Sequence, residues 1–199
     1  MTKGTRLYNI ELLRLVSMLL IVCLHFTSFA IDLHDYDFQD PNRFFLWSIR
    51  GWAYMGTNLF VIISAFFLCK SRFKTKSVLM LWAQVFFYSI TIYLLMVSFG
   101  YCNFSIKELG TSALPIVFAK YWFVTFYLGM YVLSPFLNKL VNTLNQKSHA
   151  VLVVVGLVFF SLVPNIFFKS SWLGCNSSSS VVWFCVLYTI GAYIRNYVD

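Results

Sequence analysis

The sequence predicts an all-α protein, a polytopic integral membrane helical bundle of about six transmembrane helices. Three observations predict it. Of the 199 residues, 60% are hydrophobic and only 11% charged, against about 25% charged in an ordinary soluble domain. The apolar residues gather in runs of about the length that crosses a bilayer's hydrocarbon layer, separated by short polar loops. The basic residues cluster at the ends of those runs and not along one solvated face, which is the positive-inside bias of membrane proteins. That placement also argues against a nucleic-acid partner, despite the net charge of +8.

The elements follow in order. Span 1 covers residues 12–30. Lys3 and Arg6 precede it as they would in a signal peptide. The run is nevertheless long, contains Arg14 and His25 and lacks a small-residue cleavage site, so it reads as a retained span. An acidic loop with Asp32, Asp35, Asp37 and Asp40 follows. Span 2 covers residues 52–69 and stops at Lys70, Arg72, Lys74 and Lys76. Span 3 covers residues 78–99, and residues 101–110 read as a polar loop. Lys120 interrupts the next apolar stretch, so span 4 is placed at residues 121–137, with 113–119 interfacial or re-entrant. Span 5 covers residues 150–168, and a serine run at 177–180 precedes span 6 at residues 181–194.

Helices are expected because a lipid-facing backbone must satisfy its own hydrogen bonds, and these runs are too uniformly apolar for barrel strands. With the amino terminus inside, the strongest basic cluster, Lys70 to Lys76, lies in a cytoplasmic loop and the acidic loop lies outside. The expectation is a multi-pass protein of the plasma membrane with both termini cytoplasmic and the lipid bilayer as its solvent. Trp47, Trp52, Trp122 and Trp172 fit the interfacial aromatic belts. Cys102 and Cys175 fall in outer loops, where an oxidising compartment would let them pair.

Ionisable groups inside a span cost about 2.5–3.5 kcal/mol at a helix centre, so they are functional candidates. Span 1 holds Glu11, Arg14 and His25. At about 100° per residue, the step from Arg14 to His25 returns to within about 20° of the same face, about 16 Å further along the axis. Glu11, three residues before Arg14, is within pairing distance on the helix. Two readings stay open on spacing alone. In one, the stripe points into the bundle and does chemistry; in the other, Glu11 and Arg14 anchor the interface and His25 bonds a neighbouring helix.

The stretch NIELLRLVSMLLIVCLH, residues 9–25, resembles the opening of the membrane-bound acyltransferase 3 family, with an acid, an arginine three positions on and a histidine eleven beyond it. GTNLFVIISAFFL, residues 56–68, resembles that family's second span, with Gly56, Phe60 and Ser64 in register. Asn58 departs where aspartate is common, as does Ala65 where glycine is common. YWFVTFYLGMYVLSP, residues 121–135, resembles a later span, and residues 182–197 match a further one loosely. Family members carry more spans than the six read here. The chain, a single transmembrane domain over 1–199, therefore looks like the amino-terminal part, with a homo-oligomer or a partner supplying the missing helices. The family's paired-arginine loop is represented only by Lys70, Arg72, Lys74 and Lys76.

The resemblance implies transfer of an acyl group, usually acetyl, from acyl-CoA to a hydroxyl of a surface glycan or lipid-linked sugar. His25 would be general base or transient acyl acceptor, Arg14 would orient a charged part of the donor, and Glu11 would pair with Arg14. A positioned imidazole suits proton transfer near neutral pH, and a guanidinium fork suits phosphate oxygens. Lys70, Arg72 and Lys74 would hold the CoA phosphates, or else only set topology. Asn58, Ser64 and Trp122 are candidate substrate-binding positions, although Asn58 and Ser64 serve equally to join helices. Acyl-CoA is then a substrate, and no permanently bound cofactor or metal is expected. The alternative is a non-catalytic membrane protein, such as a glycan flippase or transporter subunit or an inactive scaffold.

His34 stands among Asp32, Asp35 and Asp37 in what reads as a solvated loop, and His149 reads as interfacial. The five cysteines have no metal spacing, and phosphate-loop, nucleophile-elbow and zinc signatures are absent from the sequence.

Overall fold

The computed structural model describes residues 8–30, 37, 40–118, 120–167 and 180–198. Among these, every regular element is helical. Four helices are long and apolar enough to cross a membrane on their own: α1 (Tyr8–Phe29), α2 (Pro41–Leu68), α3 (Thr75–Ser98) and α5 (Trp122–Thr143). The short α4 (Ile106–Ala113) lies between α3 and α5. A continuous helical run then comprises α6 (Gln146–Leu157), a π-turn (Val158–Leu162) and α7 (Val163–Phe167), and α8 (Val181–Tyr197) follows. Together these describe a helical membrane protein.

The caps explain where the helices begin and end. α2 starts eleven residues before the expected position, at Pro41, because Asp40 caps it by accepting from Asn42 N at 2.8 Å and proline suits a first helical turn. Its 28 residues rise about 42 Å, more than the roughly 30 Å hydrocarbon layer, so α2 tilts or projects beyond it. α3 ends in Gly100 at φ 76°, with Gly100 N bonded to Val97 O and Tyr101 N to Met96 O, the pair of bonds that closes a helix through a left-handed glycine. The polar loop expected at 101–110 contains α4 instead. Ser105 caps it by accepting from Glu108 N, and the Tyr93 hydroxyl exchanges two hydrogen bonds with Ser105, at 2.8 and 3.0 Å, tying α4 to α3. α5 runs six residues past the expected end of span 4. Residues 114–118 form turns; the Lys120 ammonium donates to buried Ser112 at 2.7 Å and Thr125 donates to Ile116 O at 3.2 Å, fixing this segment against α5.

The packing centre is α8. Eight of its 17 residues are buried, among them Phe184, Tyr188 and Ala192. It packs against α2, α5 and α6, and glycine makes each approach close. A Cβ on Gly129 of α5 would stand 2.9 Å from Val181, and one on Gly156 of α6 would stand 2.9 Å from Val186. A Cβ on Gly191 of α8 would collide with Ile62 O and lie 2.7 Å from Ala65 Cβ. Small residues replace the hydrophobic drive that lipid cannot supply between helices. α1 pairs with α2 by the same device: a Cβ on Gly56 would meet Leu20 Cβ at 2.7 Å and Ser17 O at 2.9 Å. The outward sides of α1 and α3 stay apolar and exposed, as at Leu15, Leu19, Val22, Leu79 and Phe87.

Candidate active site

The connector from α2 to α3 gathers Lys70, Arg72 and Lys74, with Lys76 in the first turn of α3, and all four are exposed. This is the basic end of the bundle. α2 arrives there with Phe66 and Phe67, and each ring carries a guanidinium. Arg14 of α1 lies 5.3 Å from the centre of Phe67, and Arg195 of α8 lies 4.8 Å from that of Phe66. Contacts of this kind hold the cation's flat face while its edge of N–H donors stays free. The last carbonyl of α2 is satisfied too. Asn138 donates from Nδ2 to Leu68 O at 3.2 Å, and its Oδ1 accepts from the Tyr188 hydroxyl at 2.6 Å.

Between α2, α3 and α5 is a slot of about 380 Å³. Phe60, Leu81, Phe123 and Leu128 make its apolar wall, and Ser77, Tyr127 and Tyr131 bring hydroxyls to it. Its mouth is ordered. The Tyr131 hydroxyl accepts from Lys74 N at 3.3 Å, and its ring packs 5.3 Å from Phe73. Phe123 stacks on Tyr127 at 5.9 Å and meets Phe60 edge-on at 5.8 Å.

His25 is exposed on α1, toward the other end. Its Nδ1 lies 2.8 Å from Ile21 O. A carbonyl oxygen only accepts, so Nδ1 carries the hydrogen, and in the neutral ring Nε2 presents a lone pair outward. Buried Ser17 marks the side of α1 that meets α2. At about 100° per residue, Arg14 and His25 lie roughly 60° and 80° from it, on one flank of the contact. Glu11 is half-buried in the first turn of α1.

The expected site residues therefore divide. Glu11, Arg14, Lys70, Arg72 and Lys74 share the basic end, with Ser64 one helical turn deeper. His25 lies about 16 Å from Arg14 along α1. Asn58 is engaged elsewhere: its Oδ1 accepts from buried Trp183 Nε1 at 3.0 Å. Trp122 starts α5, beside Phe123 and Phe126, at the opposite end from Lys74. The acidic loop with His34 lies outside the described residues except for Asp37 and Asp40, as does Cys175; Cys102 is half-buried. Among the described residues, no three His, Cys, Asp or Glu side chains come together to hold a metal.

His149 faces protein. It is fully buried, and its Nε2 donates to Thr189 O at 2.9 Å. The ring sits edge-on to Tyr193 at 5.3 Å and Tyr197 at 5.7 Å. Asn145 caps α6 and turns the first-turn histidine toward α8. Tyr127, Tyr131, Asn138 and Tyr188 were not singled out from sequence. Their signal was the four-residue spacing of Phe123, Tyr127 and Tyr131, which puts two phenols on one helical stripe.

No curated protein and no solved structure matches the chain. A family model described as an acyltransferase domain matches residues 7–199. With nearly all of its length inside that match, and with a basic end, a slot and a presented imidazole on its membrane helices, the chain belongs to the acyltransferase 3 family.

Proposed function

We propose that this membrane protein transfers an acyl group, acetyl in the simplest case, from acyl-CoA to a hydroxyl of a surface or lipid-linked glycan. The observation that carries the reading is the α1 stripe: a guanidinium held at the basic end and, on the same flank, an imidazole whose Nε2 lone pair is turned outward. A separation of about 16 Å suits a donor whose phosphates and thioester lie at opposite ends of a long arm. The basic end faces the cytoplasm of a cell in which the protein lies in the plasma membrane with both termini inside. Lys70, Arg72 and Lys74 meet the donor's phosphates there, together with Arg14.

In the transfer step, His25 Nε2 takes the proton from the acceptor hydroxyl as that oxygen bonds to the acyl carbon. The thioester C–S bond breaks, and the departing thiolate recovers the proton from the imidazolium. The Ile21 carbonyl keeps Nδ1 protonated and so holds the basic nitrogen on the acceptor side. The exposure of His25 supports access for a large acceptor, or for a second copy or partner that completes the site.

The test is transfer of labelled acetyl from acetyl-CoA to membrane glycans. His25→Ala is expected to abolish transfer with normal membrane insertion, since replacing a neutral polar group by alanine does not hinder insertion. Arg14→Lys is expected to fail substantially, because an ammonium keeps the charge and loses the planar fork. Near-normal transfer by His25→Ala would sink the assignment.

A further inference from the structure

We propose that Arg50 of α2 binds the acceptor: its guanidinium takes an anionic group, a phosphate or a carboxylate, of a charged glycan whose hydroxyl reaches His25. The proposal deepens the acyltransferase reading and rests on His25 being the group that meets the acceptor.

Arg50 lies in the half of α2 remote from the basic end, where a charge among apolar residues is costly and is a functional candidate. Trp47, one turn earlier, lies under the flat face of the guanidinium, 5.5 Å from its ring centre. The Nε atom is buried, and among the described residues nothing accepts its hydrogen. A buried donor without an acceptor is costly, and an oxyanion arriving beside it removes that cost. With its face on an indole, a guanidinium still offers the edge that grips a phosphate or a carboxylate at two points.

Its place relative to His25 follows from how α1 and α2 pair. Gly56 meets α1 between Ser17 and Ile21, while Phe67 meets Arg14, so the two helices run antiparallel. Arg50 is six residues back from Gly56, and His25 is six residues on from the midpoint of Ser17 and Ile21. Each step is about 9 Å toward the same end, so the two residues share one depth. At about 100° per residue, His25 is turned about 80° from Ser17 and Arg50 about 120° from Gly56, in the same sense. In an antiparallel pair, turns of one sense reach one side. The axes of packed helices lie about 8–10 Å apart, so the imidazole and the guanidinium flank one substrate and do not touch each other.

The basic end, about 16 Å away, already serves the donor's phosphates. A second cation at the depth of His25 is left with the acceptor's charge. Trp47 belongs to an interfacial aromatic belt, which puts Arg50 near headgroup depth. A charge there comes either from the phosphate that joins a sugar to its lipid or from an acid group on the sugar itself.

The experiment compares the unaltered full-length chain with Arg50→Gln and Arg50→Lys in lipid vesicles supplied with acetyl-CoA. Three acceptors are offered: a neutral alkyl glucoside, an alkyl glucuronide and the glucosyl phosphate of a long-chain alcohol. Binding of each is measured alongside transfer. The unaltered protein is expected to prefer an anionic acceptor; preference for the glucuronide puts the charge on the sugar, and preference for the glucosyl phosphate puts it on the lipid linkage. Arg50→Gln should weaken binding of the preferred acceptor and raise its KM about ten-fold, the scale of one hydrogen bond to a charged group. The neutral glucoside, the KM for acetyl-CoA and the Tm should change little. Arg50→Lys should recover part of the loss, keeping the charge without the fork. Equal losses with neutral and anionic acceptors, or no loss with any, would overturn the proposal and leave the acyltransferase reading standing. Binding of an anionic glycoside that needs Arg50, without transfer, would overturn that reading and keep the anion site. An unaltered protein that neither binds nor acylates any of the three would overturn both.

Discussion

The indole of Trp183, buried in α8, donates its Nε1 hydrogen to Asn58 Oδ1 of α2 at 3.0 Å. Here two helices in an apolar environment are joined through side chains that the sequence marks only as polar or aromatic. Removing the acceptor strands a buried donor, which costs more than the bond itself is worth. Asn58→Ala is expected to destabilise the protein by about 1–2 kcal/mol, read as a lowered Tm in detergent. Asn58→Asp keeps an acceptor oxygen and should lose less.

Glycines should separate sharply by position. Gly191→Leu places atoms where Ile62 O and Ala65 already stand, and backbone cannot yield as a side chain can. The expected result is failure to recover folded protein. Gly51 has nothing within 4 Å of a built Cβ, so Gly51→Ala should be silent or stabilising by up to about 1 kcal/mol from helix propensity. Thermal stability in detergent reports both.

His149 should behave as a core residue and not as a catalytic one. His149→Phe refills the space between Tyr193 and Tyr197 and loses one hydrogen bond to Thr189 O, worth about 0.6 kcal/mol in a membrane. His149→Ala leaves a cavity and should cost about 2 kcal/mol or more. Comparing Tm for the two variants decides it; equal losses would show that the hydrogen bond, not the packing, matters.

Topology is testable without activity. A reporter fused after Lys76 is expected to behave as cytoplasmic, and one in the segment before Asp40 as exported. An exported signal after Lys76 would reverse the bundle and move Arg14 away from any cytoplasmic donor.

Much of this was legible in the residues. The apolar runs located the four helices long and apolar enough to cross a membrane, and the helical stretches at 146–167 and 181–197 as well. The starts of α2 and α4 were missed although Asp40 with Pro41, and Ser105 with Glu108, are ordinary capping signals. Hydropathy outweighed them because Arg43, Arg50 and Lys107 made those stretches look like loops. What sequence could not supply was which side of each helix meets protein. In lipid the exposed side is as apolar as the buried one, so amphipathicity does not reveal that Ser17 faces α2 or that Leu19 does not. The burial of His149 against α8 was hidden for the same reason: a polar residue at a span start reads as wet unless the helix across from it is known.

The central position of α8 also bears on the order of assembly. Every surface it fills, beside Ile62 and Ala65, Gly129 and Gly156, belongs to a helix synthesised before it. The tight α1–α2 hairpin can form as soon as both have entered the bilayer. α2, α5 and α6 must instead remain inserted but unlatched until α8 arrives between them. A nascent chain stalled before Val181 should therefore be membrane-integrated, yet loose enough to invite proteolysis or the wrong neighbour, and quality control would act in that interval.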